Sequence, residues 1–307
     1  TACFDMYYSP LETAQAAIDV GFRAALVGTV TKYKESVCEM KAAYHTINKM
    51  HPLVSYHLGF HAEYTSTPEI LKELAKAAHE LKVPIWSHIS ETETEVKECI
   101  ERHGYTPAVY FDKLGLYNYG GGGFHGVHFS DEDFAVYKKR GLSIVTNPSS
   151  NTKLASGIAP INKFLKEGIN VAIGTDGPAS NNALDFFREM WLVTGLAKLR
   201  EKDAAVVDAY DVLKMATVNG AEAMGLKDAK YLSVGSLADI IMLDMQQPNM
   251  QPVNNIEKNI VYAGSKVNVL LTMIDGKILY EDGEFNLDEP ISEIYRKAQA
   301  ITERLKS

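Results

Sequence analysis

The chain has 307 residues, a formal net charge of −8 and 46% hydrophobic residues. That length and apolar content suit one large α/β domain with a smaller appendage, and the acidic balance argues against nucleic acid as a partner because phosphate binding needs a basic footprint. No apolar run approaches the roughly 20 residues of a membrane helix, and Cys3, Cys38 and Cys99 form neither a CxxC pair nor a disulfide framework, so with no signal-peptide pattern a reducing cytoplasm is expected.

The chain opens on TACFDMYY, which reads as a strand over 2–7. So abrupt a start suggests that upstream residues belong to the same domain. Further strands are expected over 23–29 (RAALVGT), 53–60 (LVSYHLGF), 83–90 (VPIWSHIS), 123–129 (GFHGVHF), 142–147 (LSIVTN) and 169–176 (INVAIGTD). Amphipathic stretches such as 68–82 and 130–141 lie between them, and Leu71, Leu74, Ala75, Ala78 and Leu81 share one helical face. Repeated strand–helix units make a parallel sheet with helices outside. Seven such units read as a (β/α)8 barrel lacking its first strand–helix unit. A Rossmann fold would want GxGxxG after a first strand, and no stretch supplies it. The GGGG at 120–123 precedes a strand, not a helix, so it is no phosphate cradle.

Two helices are expected near 184–199 and 208–224. The pattern then changes to short strands within 232–245 and 267–285, with a turn at Asp275-Gly276 that signals antiparallel pairing. The expected division is a barrel over 1–228, the C-terminal part of a small β-sandwich domain over 229–285, and a C-terminal helical segment over 286–307.

Chemistry in such a barrel sits at the C-terminal ends of the strands. His57 and His61 lie at one end, His88 and Glu91 at the next, His125 and His128 at another, and Asp176 in GTDGPASNN at the last. Histidines and carboxylates converging on one rim are a metal-site composition. Side chains alternate faces along a strand, so His125 and His128, three apart, cannot both point inward from a regular strand. His88 and Glu91 can share a cavity only if the chain is already turning at Glu91, as ISETETE suggests. His57 is expected to be structural, and His45, His51, His79 and His103 to be surface residues. For Asp176 the bland alternative is a helix cap.

SHISE, GFHGVHFSDED, NPSSNTKLASGIAP, GTDGPASNN and GSLADIIMLD together resemble the amidohydrolase superfamily, in order and over nearly the whole chain. The closest resemblance is to the methylthioadenosine, S-adenosylhomocysteine and adenosine deaminase branch. The resemblance implies zinc held by His88 and Asp176, with iron accepted by the same nitrogen and oxygen donors. It implies that Asp176 also accepts a proton from the attacking water, that Glu91 contacts substrate and carries a proton to its ring nitrogen, and that His125 polarises the water. His61 would contact substrate, and His128 matches a variable position. Asn147, Ser150, Asn151, Asn181 and Asn182 would orient the ligands by hydrogen bonds, or else cap loops. The family's other two metal ligands come from a His-x-His, and none occurs in this sequence. A chain lacking that unit, with weakened zinc affinity, is therefore expected.

Hydrolytic removal of an amine from a heteroaromatic ring needs what this set offers. It needs a hydroxide source at neutral pH and a proton donor for the ring nitrogen beside the attacked carbon. The expected activity is hydrolytic deamination of an aminopurine nucleoside or base, a small-molecule substrate. The alternatives are guanine or cytosine deamination, displacement of chloride or an alkylamine from a triazine, and a catalytically inactive fragment. A homodimer is common among proteins that look like this one.

Overall fold

The computed structural model describes residues 1–306. Seven strands form one curled parallel sheet in chain order: β1 Ala2–Met6, β2 Arg23–Val27, β3 Val54–Gly59, β4 Ile85–Ile89, β5 Gly121–His125, β6 Ser143–Thr146 and β7 Asn170–Ile173. Each pairs in parallel with its neighbour, and helices connect them. The period-two alternation of these apolar strands puts apolar residues on both faces of the sheet. Val27, Trp86, Phe124, Val145 and Ala172 meet on the inner face, joined by Phe4 and Met6. Leu26, Ile85, Ile144 and Val171, each one residue earlier, pack outward with Leu71, Leu74 and Ala78 of the helix Pro68–Leu81. Both faces are covered, so the strands read as near-continuous hydrophobic runs.

The barrel architecture is that expected from the sequence. One strand is displaced: β5 starts at Gly121, and the glycine run belongs to the strand itself. A Cβ on Gly121 would lie 1.9 Å from the Ile85 carbonyl oxygen, and one on Gly122 would lie 2.0 Å from that of Ser143. Only glycine lets β5 sit this close to its neighbours. The single helix expected over 208–224 is two, Ala209–Ala216 and Val218–Ala223, broken at Thr217 (φ −132°, ψ −91°). The second piece is tied to β7, because the Asn219 side chain donates to the Val171 carbonyl at 2.8 Å and its own carbonyl accepts from Asn170 at 3.1 Å.

The second sheet is antiparallel, in the order β11-β10-β9-β8, with β8 Ile240–Leu243, β9 Val269–Ile274, β10 Lys277–Glu281 and β11 Glu284–Phe285. Asp275 and Gly276, at φ 51° and 80°, make the β9–β10 turn. Arg23, at the start of β2, joins this sheet to the barrel. It grips Asp239 with two nitrogens at 2.5 and 2.9 Å, and both side chains are 3% exposed. Asp239 also accepts the Asp275 N–H at 2.9 Å. Leu53, Ile274, Leu279 and Phe22 pack beside this joint. The last helix, Ile291–Lys306, buries no residue. Among the described residues, no helix is long and apolar enough to cross a membrane.

Two outcomes follow from these contacts. Arg23→Ala leaves the buried Asp239 carboxylate unpaired and should cost about 3–5 kcal/mol, read as a lowered urea midpoint. His57 packs edge-on to Phe4, with ring centroids 5.4 Å apart, and bonds the Met224 carbonyl at 3.2 Å. Burial lowers its pKa from 6.5 to about 4. The unfolded chain therefore binds this proton at a pH where the folded chain does not. The resulting stability is complete above the unfolded value and drains as the pH falls through the folded one. His57→Gln should shrink the loss of urea stability between about pH 7 and pH 4.

Candidate active site

The C-terminal ends of β3, β4, β5 and β7 bring His61, His88, Glu91, His125 and Asp176 to one rim. His88 follows Trp86 by two residues on β4 and so faces inward with it. Its ring lies 4.9 Å from that of His61 and 5.4 Å from that of His125, centroid to centroid. Its Nδ1 bonds the His61 carbonyl oxygen at 3.0 Å, so that nitrogen carries the proton and the Nε2 lone pair is left free. Burial first, and then the neighbouring His125 and His61, lower its pKa from 6.5 to about 3. His61 bonds Thr65 Oγ1 through Nδ1 at 2.9 Å, and burial lowers its pKa too.

His125 is the last residue of β5. Regular alternation would turn it away from the interior, because Phe124 already points there. At φ 78° it instead sits in the left-handed region, which bends the chain as it leaves the strand. A non-glycine residue held this way costs energy and is characteristic of functional sites. Its Nδ1 bonds Asn151 Oδ1 at 2.8 Å. Its Nε2 lies 3.8 Å from Glu91 Oε2, too far for a direct hydrogen bond. The other Glu91 oxygen accepts from Ser156 Oγ at 3.1 Å. The strand has ended by His125, and His128 turns to the Ser156 carbonyl at 2.7 Å.

Asp176 leaves β7 at φ 59°. Its carboxylate accepts from Ser150 Oγ at 2.6 Å and from the Gly177 N–H at 2.7 Å. Burial pushes its pKa up, but these donors, with the nearby His125 and Ser180, bring the net shift downward. Ser150 and Asn151 thus touch Asp176 and His125 directly. Asn181 lies behind the site: its amide donates to the Thr175 carbonyl at 2.7 Å and to Glu189 Oε1 at 2.8 Å. Asn147 is buried against Gly174, where a Cβ would lie 2.4 Å from its Oδ1. Asn182 is not brought to the site. It is exposed, and its Oδ1 accepts from Lys153.

Sequence reasoning missed four buried carboxylates, of which Asp133 accepts the Thr106 hydroxyl at 2.5 Å and the Ser130 N–H at 2.9 Å. Glu95 accepts the N–H groups of Ser90 and Glu91, both at 2.8 Å. Thr92-x-x-Glu95 carries the spacing of a capping box, but the carboxylate reaches further back than that motif implies. Glu189 accepts the Ser149 N–H at 2.9 Å, and no sequence pattern marks it. Glu63 is bonded by Arg102 at 3.1 and 2.5 Å and by His103 Nε2 at 2.8 Å. His103 is therefore not a surface residue. It is 17% exposed and stacks on Tyr110 with centroids 4.0 Å apart.

Free imidazole nitrogens on His88 and His125 beside a carboxylate are the donors a zinc-type cation takes, and their Nδ1 partners fix the rings as metal sites require. The chemistry fits such an ion. The number is short: among the described residues, no group of three or more His, Cys, Asp or Glu side chains could hold a metal ion. A cavity of about 360 Å³ opens at the opposite end of the barrel, lined by His57, Trp86, Asn170 and Glu222, away from these groups.

The model of the amidohydrolase family matches residues 1–279. The chain belongs to the amidohydrolase family. It is 36% identical over 315 aligned residues to a 5-methylthioadenosine/S-adenosylhomocysteine deaminase of Thermoanaerobacter pseudethanolicus, covering 99% of this chain and 73% of that protein. It is also 36% identical to a 5'-deoxyadenosine deaminase of Methanopyrus kandleri, covering 100% of this chain and 73% of that one. Among solved structures, a zinc-bound adenosine deaminase of Xanthomonas campestris superposes with a TM-score of 0.93 at 29% identity, covering 100% of this chain and 71% of that one.

Asn151 gives this amidohydrolase rim a test that needs no substrate. It is 1% exposed, and Asn151→Ala leaves the buried His125 Nδ1–H without its acceptor. The expected loss is about 1–3 kcal/mol in urea unfolding.

Proposed function

We propose that this chain is a divalent-metal hydrolase that deaminates an adenosine-type aminopurine nucleoside, with zinc as the metal. The observation that carries the reading is that Glu91, His125 and Asp176 lie at one rim, at the C-terminal ends of their strands. Glu91 and His125 face each other across 3.8 Å, and Asp176 is held ionised by Ser150 and Gly177. The deaminase names of relatives at 36% identity over nearly the whole chain support it.

His88 and Asp176 would hold the metal, with His125 beside it. When bound, such an ion makes hydroxide available at neutral pH, since it lowers the pKa of water to about 7. The remaining work belongs to the chain. His125 orients the attacking water through Nε2. As oxygen adds to the amine-bearing carbon, Glu91 delivers a proton to the adjacent ring nitrogen. The water loses two protons: Asp176 takes one and passes it to the amine, which leaves as ammonia when the C–N bond breaks, and the other restores the proton that Glu91 gave to the ring. One water is consumed, and the amine is replaced by an oxo group. His61, behind His88, would contact the substrate. Cys3, Cys38 and Cys99 are free, which suits a reducing cytoplasmic setting.

The test is ammonia release with added zinc from adenosine, 5'-deoxyadenosine, methylthioadenosine and S-adenosylhomocysteine, with guanine, cytosine and a chlorotriazine alongside. Turnover confined to the nucleosides is expected. Turnover of guanine, cytosine or the triazine alone would replace this reading, and turnover of nothing would leave a non-catalytic barrel. Glu91→Gln should lower kcat by about 10²–10⁴-fold while zinc uptake is unchanged.

A further inference from the structure

Glu189 lies on the helix Phe186–Glu201 and is 0% exposed. A buried carboxylate is costly unless its oxygens are satisfied. Here each oxygen is bonded to a different active-site loop. Oε2 takes the Ser149 N–H at 2.9 Å, and Oε1 takes the Asn181 amide at 2.8 Å. The residues next to those contacts are the ones that matter. Ser150, following Ser149, donates to Asp176 Oδ2 at 2.6 Å, and Asn151 bonds His125 Nδ1 at 2.8 Å. Asn181 spends its second amide hydrogen on the carbonyl of Thr175, the residue before Asp176, at 2.7 Å.

We propose that Glu189 is a positioning residue whose two carboxylate oxygens fix the separation of the loops at 147–151 and 174–182, and so the placement of Asp176 against His125. The catalytic consequence rests on the function proposed above; the structural one does not. Two loops from separate strands have no ladder between them, and Asp176 and His125 both sit in left-handed backbone conformations that must be held from outside. Ser150 and Lys153 bond across between the loops directly, and Glu189 adds a bidentate acceptor that ties both to one helix. A cation there could not, because both groups facing it are donors.

Two conservative variants separate this role from simple core filling. Glu189→Gln keeps the shape but offers one acceptor, so its amide must face either Ser149 N–H or the Asn181 amide, donor against donor. Glu189→Asp keeps the charge and both oxygens but is one methylene short of spanning the loops. In both, hydrogen exchange at amides 149–151 and 174–182 should quicken by at least about ten-fold, with β6 and β7 unchanged. On whichever nucleoside the wild type deaminates, kcat should fall by about 10–100-fold with KM nearly constant. Exchange quickened evenly through the barrel would make Glu189 a packing residue only. Unchanged exchange, or an aspartate variant indistinguishable from wild type, would overturn the proposal. If the wild type deaminates none of the nucleosides, the functional reading fails, and the exchange pattern still decides this inference.

Discussion

The rim depends on buried carboxylates that accept backbone N–H groups just beyond the strand ends. A parallel strand stops being paired where it leaves the sheet, and its next N–H groups need acceptors. Water would serve in an open loop, but here the loops are buried. Glu35 takes the Thr29 N–H at 2.8 Å, beyond β2. Glu95 takes Ser90 and Glu91, beyond β4. Asp133 takes Ser130 at 2.9 Å, beyond β5, and also the Thr106 hydroxyl at 2.5 Å. Glu189 serves the loops beyond both β6 and β7. Burial raises the pKa of all four, so each is worth keeping only because its donors are fixed. Each such carboxylate ties a loop to the fold at the cost of burying a charge, and a preorganised site needs tied loops.

Where a feature depended on local chemistry, the sequence was readable. Apolar runs with Leu26/Val27 or Ile144/Val145 alternation marked strands coated on both faces, and repeated units marked the barrel. The rim histidines and Asp176 stood out because polar residues at the ends of such runs cannot be core. What stayed hidden depended on distant partners. The glycines of β5 look like a loop until Ile85 and Ser143 are seen to leave no room for a Cβ. The break at Thr217 reflects the pull of Asn219 toward β7, across the fold. His103 looks exposed on an amphipathic helix, but Glu63, returning from the β3 loop, and the stacked Tyr110 cover it.

The same distinction runs through the site. His88, Glu91, His125 and Asp176 are residue types whose chemistry announces itself. Glu189 is an acidic residue in FFREMW with nothing to separate it from a surface glutamate, because its meaning lies in Ser149 and Asn181, 40 and 8 residues away. Asn182 shows the opposite error. Next to Asn181 in the same motif, it looks equivalent, but one residue along a short helix turns its side chain outward to Lys153.

The protonation of the rim joins fold to function. Burial and neighbouring imidazoles hold His88 neutral down to about pH 3, and its proton stays on Nδ1 because the His61 carbonyl can only accept. Hydrogen bonds from Ser150, Gly177 and Ser180, with the nearby His125, lower the pKa of Asp176 against the effect of its burial. On the function proposed above, both groups would already be in the form that holds a cation. The cost is paid in folding, by a carbonyl and a hydroxyl that the loops must present at the right place. Those loops are the ones that Glu189 and the other carboxylates bond, so on the proposed function the chemistry of the rim would depend on residues set behind it.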